Sequence, residues 1–174
     1  HMAGGTTDTL AGPEPVDVID TPAVDGTSGD TDFAQTTADL RRRIAGAAKE
    51  IDTARDRFRH LRIAVAAAPG AGPDLHARLD DVHRRVEDLA RRLTGDPVRA
   101  KLNDPANSSV RELVDRVGHF HWSTTRPPTA TQRTSIDRAT TEFTSLRPDL
   151  TAALDELAAV TGAIDDAGGT WTPR

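Results

Sequence analysis

Three histidines come nearest, by residue type and spacing, to a metal site. His76 and His83 lie seven residues apart on one flank of a predicted helix, and His60 of an earlier helical stretch could approach them. Three imidazoles would suit zinc or nickel. No carboxylate stands at a helical ligand spacing to complete the set, and flanking positions of a helix are usually solvated. We therefore expect no metal site and no other cofactor.

A second histidine pair has a spacing that excludes joint chelation. His119 and His121 are two residues apart, so on a helix they point to different sides. We expect one of them, beside Phe120 and Trp122, to pack against the helix end or cap it.

Basic residues form the other cluster that could do chemistry. Eight of them fall within one predicted helix: Arg41, Arg42, Arg43, Lys49, Arg55, Arg57, Arg59 and Arg62. Such a face could bind phosphates. The chain, however, has no Tyr, only two Lys and a formal net charge of −5. We expect a solvated face whose arginines pair in part with acidic residues of neighbouring helices. Anion or nucleic-acid binding is the weaker alternative.

Catalytic patterns are missing from the sequence. It has no nucleophile elbow, no phosphate-binding glycine loop, no His-Glu-x-x-His motif and no Cys. Asp80-Asp81 and Asp165-Asp166 are adjacent pairs whose side chains diverge on a helix. The sequence therefore predicts no enzyme and no catalytic residue, and a small-molecule ligand is not expected.

Composition excludes further classes but leaves the compartment open. No window has the roughly 18 uninterrupted apolar residues of a membrane span, and no signal peptide is visible. The absence of Cys removes disulfides without identifying a compartment. We interpret His1-Met2 as a cloning remnant, and the bias towards Arg, Ala, Gly and Asp as typical of a bacterial genome.

The element that must position everything else runs from residue 33 to residue 68. Its apolar or small positions alternate in steps of four and three: Phe33, Thr37, Leu40, Ile44, Ala47, Ile51, Ala54, Phe58, Leu61, Val65 and Ala68. Only a helix places such positions on one stripe, and the heptad form suits a helix that lies along other helices. We predict a helix over 32–68 whose apolar face the rest of the chain must cover.

The second helix is predicted over 74–94. Asp74 lies near its N-cap, and Gly95 is suited to a left-handed C-cap. Residues 95–107 are expected to be a connection.

Two capping boxes open the remaining helices. Ser109 with Glu112 predicts a start for the third helix, and Thr129 with Gln132 predicts one for the last helix. The predicted ranges are 109–122 and 130–167.

Pro148 interrupts the pattern of the last helix without changing its phase. Because proline removes one backbone hydrogen bond and clashes with the preceding turn, we expect a kink at 144–148; a complete break between two coaxial helices is the alternative. Trp171, in the short tail after Gly168-Gly169, is expected to fold back onto the bundle end.

These lengths predict an all-α domain over 31–174. The simplest assembly is an antiparallel up-down-up-down four-helix bundle with long first and last helices. A three-helix column with the third segment as a cap is the alternative.

Residues 1–30 are expected to form a tag remnant and a disordered, acidic linker. Their apolar cluster consists of Val16, Val18 and Ile19, and it could add a strand to a partner or dock on the bundle. One hypothesis places this acidic segment against the basic face of the first helix.

The C-terminal part of the chain resembles the C-terminal helical region of bacterial sortilin-like β-propeller proteins with Asp-box repeats, which are often labelled glycosyl hydrolases. The likeness covers residues 95–173. It rests on Gly95-Asp96-Pro97, His121-Trp122-Ser123-Thr124-Thr125, Pro128-Thr129 with Gln132-Arg133, Glu142-Phe143, Ala167-Gly168 and Trp171-Thr172-Pro173.

This resemblance implies a non-catalytic C-terminal accessory domain that packs against, spaces or oligomerises a larger β-propeller protein. Its partners would be the remainder of its own longer chain or another protein, with no nucleic acid and no membrane. His121, Trp122, Thr129 and Trp171 would be structural. The alternative is a free-standing adaptor that binds a partner helix or peptide in its long groove.

Overall fold

The structure, a computed structural model, describes residues 28–102, 107–121 and 127–169. In these ranges every regular element is a helix and none is a strand. The helices are α1 Ser28–Ala67, α2 Pro73–Thr94, α3 Pro97–Lys101, α4 Val110–His121 and α5 Ala130–Asp166. The predicted all-α class is therefore confirmed. No helix in the described part of the chain is both long and apolar enough to cross a bilayer.

α1 carries the predicted apolar stripe into the core. Every position of the stripe over 33–68 is buried except Thr37. Thr37 is half-buried and donates its hydroxyl hydrogen to the Phe33 carbonyl oxygen at 2.8 Å. The helix begins at Ser28, earlier than predicted, so its first turn includes the last three residues of the expected linker.

The turn between α1 and α2 is tied to the end of α5. The Gly70 amide donates to the Ala167 carbonyl oxygen at 3.0 Å, and a Cβ at Gly70 would lie 3.1 Å from that oxygen. This close approach favours glycine. α2 then begins at Pro73, where the missing amide hydrogen costs no helical bond. Gly72 is the N-cap, and Asp74 lies in the first turn rather than at the cap.

The connection after α2 differs from the prediction in two details. Gly95 ends α2 with φ +93° and ψ 168°, which is a mirror-image extended conformation and not the left-handed helical one that was expected. Its amide donates to the Arg91 carbonyl oxygen at 2.9 Å. The predicted loop over 95–107 contains the one-turn helix α3, which Asp96 caps by accepting from the Val98 amide at 2.9 Å. α3 contributes no buried residue.

Both predicted capping boxes are confirmed. The Ser109 amide donates to Glu112 Oε2 at 2.8 Å, and the Glu112 amide donates to Ser109 Oγ at 3.3 Å. The corresponding distances for Thr129 and Gln132 are 2.7 and 3.3 Å. Each box satisfies two amide donors that a helix start leaves without an intrahelical partner.

α5 continues as one helix through Pro148, so the chain is not divided there into two coaxial helices. The proline side chain is exposed. The predicted kink at 144–148 stays a prediction. The described residues do not include Trp122, Trp171 or residues 1–27, and the apolar cluster of Val16, Val18 and Ile19 is among the latter.

The direction of the helices follows from their contacts. Three contacts join α1 to α5, pairing Phe33 with Arg133, Arg43 with Phe143 and Glu50 with Arg147. A fourth joins Gly70, just after α1, to Ala167, just after α5. Because the partner number rises with the α1 number, α1 and α5 run parallel. The contacts of α2 run in the opposite sense, pairing Arg55 with Glu87, Arg62 with Asp80, Arg78 with Glu156 and Arg92 with Asp149.

The predicted alternation of four helices is not what these contacts describe. α4 is antiparallel to α1, since Arg41 pairs with Asp115, while Phe33 and Gly118 line one cavity and Ile44 and Arg111 line another. α2 and α4 therefore run in the same direction and follow one another along α1 and α5. The arrangement is up-down-up, with a middle column made of two helices. The predicted order, which counted α4 as a separate return and not as a continuation of α2, is therefore not confirmed.

We expect the substitution Ile51→Asp to unfold the bundle. Ile51 is 2% exposed in the centre of the α1 stripe, so the new carboxylate would be buried without a partner. The cost should be on the order of 4 kcal/mol or more, a large share of the stability of a typical domain. Thermal unfolding followed by circular dichroism measures it. Ile63→Asp is the matched control, because Ile63 is 71% exposed. Two equal, cooperative melts would contradict the core assignment.

Candidate functional site

His76 and His83, two of the three histidines considered as metal ligands, lie in different surroundings. His83 is half-buried with its ring edge-on against Phe58, at a centroid distance of 4.8 Å, and its Nδ1 lies 3.3 Å from Arg62 Nη2. His76 is exposed. Within the described ranges, no three His, Cys, Asp or Glu side chains are grouped so that they could hold a metal ion. His83 thus packs beside the core and is not the solvated side chain that was expected.

His119 contacts the backbone of its own helix. Its Nδ1 lies 3.2 Å from the Asp115 carbonyl oxygen, one turn earlier, and the side chain is exposed. The side chain of His121 is outside the described residues.

The arginines of α1 are used in ion pairs, as the sequence analysis expected. Three of them reach neighbouring helices: Arg41 to Asp115 at 3.2 Å, Arg55 to Glu87 at 2.8 Å and Arg62 to Asp80 at 3.7 Å. Arg42 and Arg59 pair within α1, with Asp39 and Asp56. Much of the positive charge of this face is therefore balanced by carboxylates of the same bundle.

The Arg55–Glu87 pair is the strongest of these contacts in geometry. Arg55 donates from both Nε and Nη2 to the two carboxylate oxygens, at 2.8 and 2.9 Å. Hydrogen bonding from Arg55 lowers the pKa of Glu87 below its ordinary value, although partial burial opposes the shift. The same bond raises the pKa of Arg55. The pair fixes the register of α1 against α2.

A polar cleft of about 510 Å³ lies where the middle column is broken between α2 and α4. Arginines line it, and three of them have carboxylate partners: Arg91 with Asp88, Arg92 with Asp149 and Arg138 with Glu142. Each of these three arginines thus holds a carboxylate of the same bundle at the wall of the cleft.

An open, mostly apolar groove of about 700 Å³ lies between the first half of α1 and the end of α4. Its floor and walls are Ala34, Thr37, Ala38, Ala45, Val117 and Gly118. Small side chains create this space, because alanine and glycine leave a gap between helices that larger residues would fill. We call this surface the α1–α4 groove.

Arginines form the rim of the α1–α4 groove. Arg41 and Arg42 both line it, and their side chains are 51% and 74% exposed. Each has one carboxylate partner, and a guanidinium has five N–H donors in total. The groove thus combines an apolar floor with a basic edge that keeps hydrogen-bonding capacity.

Sequence reasoning missed this groove. Ala34, Ala38 and Ala45 were predicted to lie on α1, but only the positions of the buried stripe were assigned a role. The signal that could have found the groove is the residue one step after each stripe position. It is alanine at these three places, whereas it is charged at all four such positions from 52 to 62.

Comparison of this chain with protein-family models, curated proteins and solved structures found no match. The resemblance to sortilin-like β-propeller proteins therefore stays a prediction.

We expect Glu87→Gln to lower the free energy of unfolding at neutral pH by on the order of 1 kcal/mol. The folded-state pKa of Glu87 is depressed, so its stabilisation is present above the unfolded-state value of about 4.3 and is lost as the pH falls through the lower folded value. Urea denaturation of the variant and the parent chain should therefore differ at neutral pH and converge in acid.

Asp88→Asn is the matched control for this experiment. Asp88 pairs with Arg91 one turn along the same helix, and its side chain is 66% exposed. Its loss should change stability by less than about 0.5 kcal/mol. A difference between Glu87→Gln and the parent chain that does not vary with pH would refute the role of the charged pair.

Proposed function

We propose that this chain is a non-catalytic helical accessory domain that binds protein through the α1–α4 groove, as part of a larger β-propeller protein. The groove is the observation that carries the proposal. Around it the bundle is well packed, with the stripes of α1, α2 and α5 buried along their length. An exposed apolar groove on an otherwise packed helical domain is typical of a protein-binding surface.

The shape of the bundle suits a spacer or a packing module. α1 has 40 residues and α5 has 37, so each is roughly 55–60 Å long at 1.5 Å per residue. The two run parallel, and the pairs between columns fix their register. A rod of this kind presents the groove near one end, beside the first turns of α1.

The chemistry of the groove defines what it should bind. Its floor takes aliphatic side chains, and the arginines of its rim favour carboxylates on either side of them. The partner we propose is an apolar segment with acidic flanks, contributed by the remainder of the longer chain.

A free-standing adaptor is the second candidate. The same groove favours it, because an adaptor requires an exposed apolar surface for a partner helix or peptide. The two candidates differ in the length of the native chain and not in the surface they use. Nucleic-acid binding has less support, since the arginines of α1 are largely paired.

An immunoblot of the source cells with an antibody against residues 28–169 separates the two candidates. The accessory domain predicts a band several times the 18.6 kDa of this chain. A band near 18.6 kDa would reject the β-propeller proposal and leave the adaptor.

The groove itself is tested by the dye 1-anilinonaphthalene-8-sulfonate, whose fluorescence rises on an apolar surface. We expect Ala38→Glu to reduce that fluorescence several-fold, because the carboxylate would enter the groove and repel the anionic dye. Ala38 is exposed, so folding should be unaffected. Ala159→Glu, at an exposed position of α5, adds the same charge elsewhere. Equal fluorescence from the two variants would count against the groove as a binding surface.

A further inference from the structure

The α1–α4 groove lies next to the point where the first 27 residues join the bundle. α1 begins at Ser28, and Ala38 on the groove floor is ten residues further along. At 1.5 Å per residue the separation is about 15 Å. Any segment just before Ser28 is thus held close to the groove.

The composition of that segment matches the groove. Residues 1–27 carry five acidic groups, no Lys and no Arg: Asp8, Glu14, Asp17, Asp20 and Asp25. Val16, Val18 and Ile19 form its densest apolar cluster, and acidic residues lie within and directly after it. This is the pattern of aliphatic side chains with carboxylate flanks that the groove favours.

We infer that residues 16–20 occupy the α1–α4 groove of their own chain and compete there with the protein partner. The inference rests on the proposed function, because it takes the groove to be a binding surface. The aliphatic side chains lie on the alanine floor, and the carboxylates of Asp17 and Asp20 meet the rim.

The chain is long enough for this contact. Ser28 is nine residue steps after Ile19, and an extended chain covers up to about 3.3–3.6 Å per step, or roughly 30 Å. That distance exceeds the 15 Å from Ser28 to Ala38 and leaves room for the chain to reverse. Pro22 and Gly26 lie between them, and both residue types are common in turns.

The rim can accept the carboxylates without losing its own pairs. Arg41 holds Asp115 at 3.2 Å, and its side chain is half exposed. Arg42 holds Asp39 and is 74% exposed. A single carboxylate uses at most two of the five donors of a guanidinium, so each arginine has donors left for a second acceptor.

Tethering makes even a weak contact effective. A short flexible linker gives an effective concentration in the millimolar range, so a contact with a millimolar dissociation constant would fill the groove about half of the time. A partner that binds more tightly would displace it. The segment and the partner would therefore compete for the same apolar surface.

Paramagnetic relaxation in the full chain tests the inference directly. The chain has no Cys, so Thr21→Cys provides one site for a nitroxide label. We expect the amide signals of Ala38 and Gly118 to be broadened several-fold more than that of Arg84, which is exposed on α2. Val18→Asp with Ile19→Asp should abolish this difference. Leu10→Asp with Val24→Asp, the matched control, should preserve it.

Each other outcome overturns the inference. Broadening that is even along α1, or unchanged by the Val18 and Ile19 substitutions, would show that residues 16–20 do not occupy the groove. Broadening in a mixture of spin-labelled chain and ¹⁵N-labelled, Cys-free chain would place the segment in the groove of a second copy.

The dye experiment separates this inference from the proposed function. If residues 16–20 cover the groove, the Val18→Asp and Ile19→Asp variant should bind more dye than the parent chain. If dye binding depends on Ala38 but not on the segment, the groove is a binding surface without a cover in its own chain. If it depends on neither, both proposals fail.

Discussion

The apolar stripe of α1 sets the constraint that the rest of the structure satisfies. From residue 33 to residue 68 it extends about 53 Å at 1.5 Å per residue, and nearly all of it is removed from water. α5 is long enough to cover it from one side. The return path is made of α2, with 22 residues, and α4, with 12, whose combined length of about 51 Å matches the stripe. The segment that connects α2 to α4 lies at the surface, because α3 within it has no buried residue.

Much of this could be predicted from local sequence, because the signals involved act over a few residues. The 4-3 spacing predicted the buried face of α1, and the two capping boxes predicted where α4 and α5 begin. Helix direction was harder. The sequence showed that the second and third segments together equal the length of one long helix. Their direction follows only from contacts at two or more levels of each helix, such as Arg55 with Glu87 and Arg62 with Asp80 for α2. Such contacts between distant residues leave no periodic trace in the sequence.

Histidines and arginines were the natural candidates for chemistry, and the fold gives them other roles. His83 lies against Phe58, which takes one imidazole out of any cluster. The arginines fix the register between the helices, because each ion pair between two helices holds one residue of α1 beside one residue of the neighbouring helix. Pairs of this kind contribute little stability on a surface, and their larger effect is to disfavour shifted packings in which like charges would meet. The sequence could suggest that these charges pair, but it could not identify the partners.

The two halves of α1 are sealed differently along one flank, and this contrast argues that the groove is more than a packing defect. In the second half, the positions one step after the stripe carry Arg55 and Arg62, which close the seam against α2 by pairing across it. In the first half Arg41 pairs in the same way with Asp115 of α4, but the positions on either side of it, Ala38 and Ala45, are alanine, and the seam beside them stays open and apolar. Charged residues at Ala34, Ala38 and Ala45 would have been compatible with the same core, because these three positions are outside it. Alanine favours the helix itself, but the groove floor leaves apolar surface in water, and another segment lying on it would remove that surface from water.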